Sequence, residues 1–427
     1  MRTRVPRARR SEVGCVEHAV VERARPGGSA MMLKNSVPFD PGVAEEFFAA
    51  LPREPAVFAL WPEPAPGGKA QPYLSRTRNL RHRLERLLAS PRPGLRRLNL
   101  NELARRVEYQ CVGSAFEASW LVYQLNRAYY PRVYRQRLRL SPPALLKVNL
   151  RNRFPRCYTT RRMARDGSLY YGPFPSRAEA ERFAGEFLDL FKIRRCVEDL
   201  NPDPSHPGCI YSQMRMCLAP CYAGCTDGDY QRELGRVVAF LDTEGNSLSG
   251  ELESERGQAS DSLNFEEAGR LHHRLDRVKE VLRKKPGLAR NIADLNAVIV
   301  ERGAEANSVV FFRVSAGELR GPATLLLDQK VASPVSLDEQ MRLLLGSLAP
   351  ASEASNPATG SAGEPETRSE LRIARPNVSP LPPWEHLALL ARWYYSSFRE
   401  GEFVLLGRGQ EIPHARLIRL CRKLTSA

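Results

Sequence analysis

From residue 40 onward, apolar and polar positions follow two alternating rhythms. Residues 40–51 (DPGVAEEFFAAL) open on an acidic cap and then repeat apolar side chains at helical spacing. PAVFAL is short and apolar, and a Pro/Gly-rich stretch separates it from PYL, so the two predict a β-hairpin. SRTRNLRHRLERLLA carries Leu80, Leu84, Leu87 and Leu88 on one face and predicts a basic amphipathic helix. RVEYQCV predicts a further strand, and SAFEASWLVYQLNRAYY a helix ending before Pro131.

Farther along, LLKVNL and the segment NRFPRCYTTRRMARDG predict strands of a small sheet leading into YYGPF. PSRAEAERFAGEFLDLF predicts a helix capped by Ser176 that buries Phe183, Phe187, Leu190 and Phe191. DGDYQRELGRVVAFL opens another helix. SDSLNFEEAGRLHHRLDRVKEVLRKK places Ala268, Leu271, Leu275, Val278 and Leu282 along a coiled-coil-like seam, which an ordinary helical hairpin closing on itself would also produce. LNAVIVERG, SVVFFRVSAGELRG and PATLLLD predict consecutive antiparallel strands. Residues 349–383, rich in Ala, Ser, Pro and Glu, predict a linker or insertion. WEHLALLARWYYSSF (helix), EFVLL (strand) and HARLIRLCRKL (helix) complete the pattern.

The chain has 427 residues, long enough for two to four domains. Its net charge of +16 comes mainly from arginine, whose planar fork suits phosphate, so a polyanionic partner is implied. No apolar run approaches the roughly 18 residues that span a bilayer, which excludes an integral helical membrane protein. At 42% hydrophobic residues, wholesale disorder is excluded too. The Arg-rich residues 1–30 carry no apolar core of a secretory signal and predict a disordered basic arm, or untranslated sequence if the start is Met31 or Met32.

The densest chemistry is cysteine. Five of the nine, Cys196, Cys209, Cys217, Cys221 and Cys225, fall within thirty residues. Without a secretory signal a reducing, cytoplasmic setting is expected, where disulfides rarely persist, so metal coordination is favoured over a disulfide framework. Cys196-x12-Cys209-x7-Cys217-x3-Cys221 lacks the paired C-x2-C knuckles of most zinc ribbons, and spacing leaves zinc, an iron–sulfur cluster and plain core packing open. Cys225 is a spare or exchange ligand. Tyr170, Tyr171 and Phe174 stand beside arginines, where they could stack on bases or pack against the cysteine loop. His272 and His273 lack ligand companions at metal spacing and are expected at the surface.

YYGPFPS, FKIRRC and the C-x7-C-x3-C run containing CLAPC, in that order, resemble the middle region of the UvrC family, the incision subunit of bacterial nucleotide excision repair. The resemblance implies an α+β multidomain chain: a basic arm (1–39), a small GIY-YIG-like domain (40–140), a cysteine-cluster domain (141–230), a helical hairpin of the UVR type (231–286), an antiparallel β region (287–348), a linker (349–383) and a C-terminal α/β segment (384–427). It further implies a 4Fe–4S cluster on Cys196, Cys209, Cys217 and Cys221, with zinc as the alternative. DNA is the implied partner, as is UvrB through LNFEEAGRLHHRL, where Phe265, Glu266, Ala268 and Leu271 fall on recurrent UVR positions.

The N-terminal domain resembles a GIY-YIG nuclease with key departures. Tyr73-Leu74-Ser75-Arg76 matches the Y-I/V-G-K step, and Arg83 matches a family arginine. The family's first tyrosine is Phe58, which has no oxygen to act as a base. Its metal-holding glutamate is Val122, a further tyrosine is Leu87, and Glu117 matches a different glutamate. Tyr73, Arg76 and Arg83 are therefore the remnants of the site. Arg76, Arg78, Arg81 and Arg83 are the expected DNA contacts, and Mg2+ or Mn2+ is expected only if the site cuts. Full-length family members continue into a ribonuclease-H-like catalytic domain and helix-hairpin-helix repeats, whose patterns these residues lack. Three readings follow: a non-cutting accessory of excision repair, an active endonuclease, and an RNA-binding or metal-sensing protein on the same scaffold.

Overall fold

The structure, a computed structural model, describes residues 33–63, 71–90, 98–198, 200–327, 336–350, 381–407 and 410–426. The expected arm at 1–30 and nearly all of the expected linker lie outside the described residues. Helices and antiparallel sheets are mixed throughout, as the α+β reading expects.

The first unit comprises β1 (Asn35–Pro38), α1 (Ala44–Ala50), β2 (Ala56–Pro62), β3 (Tyr73–Thr77), α2 (Leu80–Leu88), β4 (Ala104–Cys111), α3 (Ala115–Tyr129) and the single turn α4 (Tyr134–Arg137). Its sheet runs β1-β4-β2-β3, all antiparallel. β2 is buried on both faces, and its alternation splits two cores. Ala56, Phe58 and Leu60 meet the four leucines of α2, whereas Val57, Ala59 and Trp61 meet Ala118, Leu121 and Leu125 of α3. Asn79 caps α2 by accepting from the His82 N–H at 3.0 Å.

β1 corrects the boundary of the basic arm, which was expected to reach residue 39. Asn35 to Pro38 pair with Tyr109 to Arg106 of β4, and Leu33 and Phe39 are buried on either side of the strand. Four mostly exposed residues give no period-2 signal; the edge of β4 and the flanking apolar residues fix the strand.

The second unit holds β5 (Ala144–Val148), β6 (Cys157–Thr160), β7 (Leu169–Phe174), α5 (Arg177–Leu188), the turn α6 (Ile210–Gln213), α7 (Asp227–Asp242), α8 (Asn246–Asp261), α9 (Phe265–Arg283) and β8 (Arg290–Asn291), with sheet order β6-β5-β7-β8. Ser176 caps α5 as expected, accepting from Glu179 at 3.1 Å. α8 and α9 form a hairpin that shares one core with β5, β7, α5 and α7: Leu248, Leu252, Leu271, Leu275, Val278 and Val281 lie with Phe183, Phe187 and Phe240. The seam of α9 closes on Val281, while Leu282 is only partly buried.

Base stacking by Tyr170, Tyr171 and Phe174 is overturned. They are 2–3% exposed because β7 is covered on both faces. Tyr171 and Phe174 enter the core of α5 and α7, and Tyr170 the core on the other side. The Tyr171 hydroxyl donates to Asp242 at 2.9 Å.

The third unit is β9 (Asn296–Arg302), β10 (Ser308–Ser315), β11 (Glu318–Leu326), α10 (Leu337–Ser347), α11 (Trp384–Tyr394), β12 (Glu402–Leu406) and α12 (His414–Ser426), in sheet order β11-β10-β9-β12. The strand break expected at residue 321 falls instead at Ala316-Gly317. Both have left-handed φ (47° and 77°), with Ser315 opposite Glu318, the geometry of a two-residue hairpin. β12 pairs with β9, Glu402 opposite Val300 through Leu406 opposite Asn296. The expected β region and C-terminal segment are therefore one sheet. α11 covers one face through Leu387, Leu390 and Trp393; α10 and α12 cover the other through Met341, Leu345, Leu417 and Cys421.

One core belongs to all three units. Phe116, Trp120 and Tyr123 of α3, Leu145 of β5 and Tyr170 of β7 pack with Ile299, Phe312 and Leu390. The Trp120 indole donates to the Gly321 carbonyl at 2.7 Å. Among the described residues no helix is long and apolar enough to cross a membrane.

Candidate functional site

In the first unit the sheet separates the remnants of the expected nuclease site. Tyr73 packs on the α2 side, its ring 6.4 Å from that of Phe58. Arg76, three residues along, faces α3, where its guanidinium donates to the Ser119 hydroxyl and to the Ala115 carbonyl. Arg83 is carried by α2 on the Tyr73 side of the sheet. Phe58 and Leu87 are buried in the α2 core, and Val122 packs partly buried against the α3 core. The positions at which the resemblance expects a base and a metal ligand are thus spent on packing.

Of the four arginines expected on DNA, Arg76 and Arg78 are exposed and Arg83 is half-buried. Arg81 instead holds α1 in place: its guanidinium donates to the Leu51 carbonyl at 2.7 and 2.9 Å and to the Ala49 carbonyl at 2.6 Å. It satisfies carbonyls at the C-terminal end of α1, where the helix leaves its acceptors free. Glu117 is likewise occupied, accepting from the Gly113 N–H at 2.9 Å; burial raises its carboxyl above the ordinary range.

The cysteine loop runs from α5 to α7 and is built around Arg194, 1% exposed. Its guanidinium donates to the carbonyls of Phe154 (2.8 Å) and Glu198 (2.7 Å) and lies 3.7 Å from the Cys196 sulfur. Tyr230 of α7 accepts from the Arg194 N–H at 2.9 Å and donates to the Pro155 carbonyl at 2.7 Å. Sequence reasoning passed over both; the arginine that directly follows the apolar Ile193 in FKIRRC is the signal that could have found Arg194.

Cys196, Cys209, Cys217 and Cys221 lie close enough to bear on one another electrostatically: burial pushes the Cys217 thiol up to about 11, and the other three add to the rise. Cys217 accepts from the Ala219 N–H at 3.3 Å, and burial raises the Cys221 thiol. Arg215, Ala219 and Ala223 hold left-handed φ of 54° to 58°, a costly backbone for residues other than glycine. Among the described residues no three His, Cys, Asp or Glu side chains converge tightly enough to hold a metal ion. Cys225 packs partly buried against the core of the second unit.

At the tip of the α8–α9 hairpin, Leu263 and Phe265 are 72% and 68% exposed. Glu266 pairs with Arg270 at 2.7 Å. Ala268 is half-buried, and Leu271 is buried within the hairpin core. His272 and His273 are exposed as expected.

Residues 144–240, from β5 through the cysteine loop into α7, match the family described as UvrC/Cho excinuclease, middle domain. The chain is a relative of the UvrC family. It is 31% identical to UvrABC system protein C of Moorella thermoacetica over 65% of this chain and 44% of that protein. It is 29% identical to the Carboxydothermus hydrogenoformans protein of the same name, over 58% of this chain and 41% of that one. The Salinibacter ruber protein is 26% identical over 66% and 45%. The chain thus spans less than half the length of these relatives. No solved structure gives a significant match.

Proposed function

We propose that this chain is a DNA-binding protein of nucleotide excision repair that engages damaged DNA and UvrB without cutting. The relationship to the UvrC family carries the repair assignment. The absence of cutting rests on one observation: Phe58 and Val122 occupy the positions of a nuclease base and metal ligand and pack in two cores on opposite faces of one sheet. Metal-assisted hydrolysis depends on a bound cation that activates water and offsets charge. A phenyl ring and an isopropyl group offer a cation no oxygen.

The cysteine loop fits a thiolate-bound centre in part. Four thiols share one neighbourhood, the Ala219 N–H donates to the Cys217 sulfur, and a buried guanidinium stands by that of Cys196. Such donors tune and orient thiolate ligands. Against this, the thiols as placed do not converge to coordination distance. Cys196, Cys209, Cys217 and Cys221 would hold the group, a 4Fe–4S cluster or, on the same ligands, zinc. When bound it would fasten loop segments that carry almost no regular secondary structure.

The exposed Leu263 and Phe265 at the hairpin tip support docking on a like hairpin of UvrB. Arg76, Arg78 and Arg83 supply positive charge for the DNA backbone. The test is incubation of the purified chain with UvrA, UvrB and a lesion-bearing duplex plus Mg2+ or Mn2+. The expected outcome is retention on the UvrB–DNA complex with no nick, and a single clean incision would overturn the accessory role. Phe265→Ala is expected to abolish UvrB co-purification.

A further inference from the structure

Where the three units meet lies an open cleft of about 580 Å³, bounded by α3, α4, residues 161–165 and the first turn of α11. It shares no lining residue with the nuclease remnants, the cysteine loop or the hairpin tip. Its volume falls within the ~300–1,000 Å³ of small-molecule and nucleotide pockets.

Its charge is one-sided. Arg127, Arg135, Arg161, Arg162 and Arg165 line it, against one carboxylate, Glu385. That carboxylate is already engaged: Arg135 reaches it at 2.8 Å and the Tyr134 hydroxyl donates to it at 2.7 Å. Arg161, Arg162 and Arg165 are exposed, and none pairs with a carboxylate among the described residues. The Thr160 hydroxyl accepts from the Arg162 N–H at 3.0 Å and fixes the turn that presents them.

Another part of the lining is planar. The Arg135 guanidinium lies 5.3 Å from the Trp384 ring centre and 5.4 Å from that of Tyr134, and its ion pair with Glu385 fixes it there. Aromatic rings and a guanidinium in one cleft with unpaired cations match the two parts of a nucleotide: a flat base and an anionic phosphate. An acidic peptide would use the cations and leave the flat wall idle.

We propose that this cleft takes an unstacked nucleotide of a single strand, its base on the Trp384–Arg135 wall and its flanking phosphates against Arg161, Arg162 and Arg165. A strand opened around a lesion would supply such a nucleotide, whereas a closed duplex keeps its bases stacked. The inference goes beyond the repair reading and can fail alone, because duplex retention through the first unit is measured separately.

The test uses the full chain and a fluorescein-labelled oligothymidylate, followed by anisotropy across a salt series, with thymidine monophosphate and the corresponding duplex as comparison arms. Arg161→Ala/Arg165→Ala is expected to weaken oligonucleotide binding and lower the slope of log affinity against log salt by about 1.4, two contacts at about 0.7 each. Trp384→Ala is expected to cost about fivefold or more with the slope unchanged. Trp384→Phe, which keeps a stacking face and guards against misfolding, should stay within about threefold of the parent. Unchanged affinity and slope in the double alanine variant would overturn the proposal. So would competition by the monophosphate as effective as by the oligomer, or an equal loss for duplex.

Discussion

The first and second units treat their chemistry-bearing positions in opposite ways. In the first, the positions that the GIY-YIG resemblance gives to a tyrosine and a glutamate carry Phe58 and Val122, and both pack into cores that hold the sheet to its helices. In the second, the cysteines sit in a loop with little regular structure, and Arg215, Ala219 and Ala223 adopt strained backbone around them. A sheet and its helices need only the burial pattern, so shape outlasts catalysis when a polar site residue becomes apolar. A loop with no core of its own needs its special residues or it has no reason to hold that conformation. What differs between the two regions is whether removing the chemistry leaves the geometry supported.

That contrast can be broken from the side of the loop first. Cys209→Ala/Cys217→Ala is expected to remove all bound iron or zinc and make residues 196–225 susceptible to limited proteolysis, while the first unit stays intact. Elemental analysis and a proteolysis time course check it, and unchanged metal, folding and duplex affinity would end the coordination reading. Phe58→Ala is next in size, with an expected loss of about 3–5 kcal/mol in urea unfolding because a fully buried ring is removed. A loss under about 1 kcal/mol would mean that this position is not committed to the core.

Glu301 tests the joint between units. It is 1% exposed, accepts from the Ser114 hydroxyl at the cap of α3, and burial, with Glu117 and Glu400 adding, raises its carboxyl from 4.5 to about 8. The folded state therefore binds a proton that the unfolded chain releases above pH 4.5. Stability from this group should be full below about pH 4.5 and fall as the pH rises through about 8, by an amount on the order of a few kcal/mol. Glu301→Gln should flatten that part of the stability–pH curve, and an unaltered profile would remove Glu301 as its source. Smallest is Arg81→Ala, expected to cost about 1–2 kcal/mol through the lost bonds to Ala49 and Leu51 with DNA affinity unchanged, whereas Arg83→Ala should do the reverse. Denaturation and anisotropy on both variants separate structural from phosphate-binding arginines.

Where apolar spacing is regular, the fold was legible in the sequence. Leu80, Leu84, Leu87 and Leu88 marked the buried face of α2, and the expected cap Ser176 stands at the start of α5. α8 escaped notice because Gly250, Gly257 and its serines blur the helical period, and only Leu248 and Leu252 are buried. β1 was hidden by its brevity. The Ala316-Gly317 hairpin escaped because the turn residues resemble their surroundings, and the change of direction lies in two backbone angles.

Long-range chemistry was the least legible. That Tyr170 and Tyr171 point into two different cores depends on what covers β7 from elsewhere. The ties from Ser114 to Glu301 and from Tyr134 to Glu385 join residues 187 and 251 positions apart. The cysteine motif was plain, but Arg194, which organises the loop beneath it, read as one basic residue among many.

α3 is apolar around most of its circumference, giving Ala118, Leu121 and Leu125 to its own sheet and Phe116, Trp120 and Tyr123 to the core shared by all three units. With its nuclease chemistry disabled, as we propose, the domain that would house it is still not dispensable. A descendant of this chain could discard every arginine proposed to bind phosphate more readily than this helix, whose deletion would leave Phe312 and Leu390 facing water. Whatever it cuts or does not cut, the first unit persists as the keystone of its neighbours.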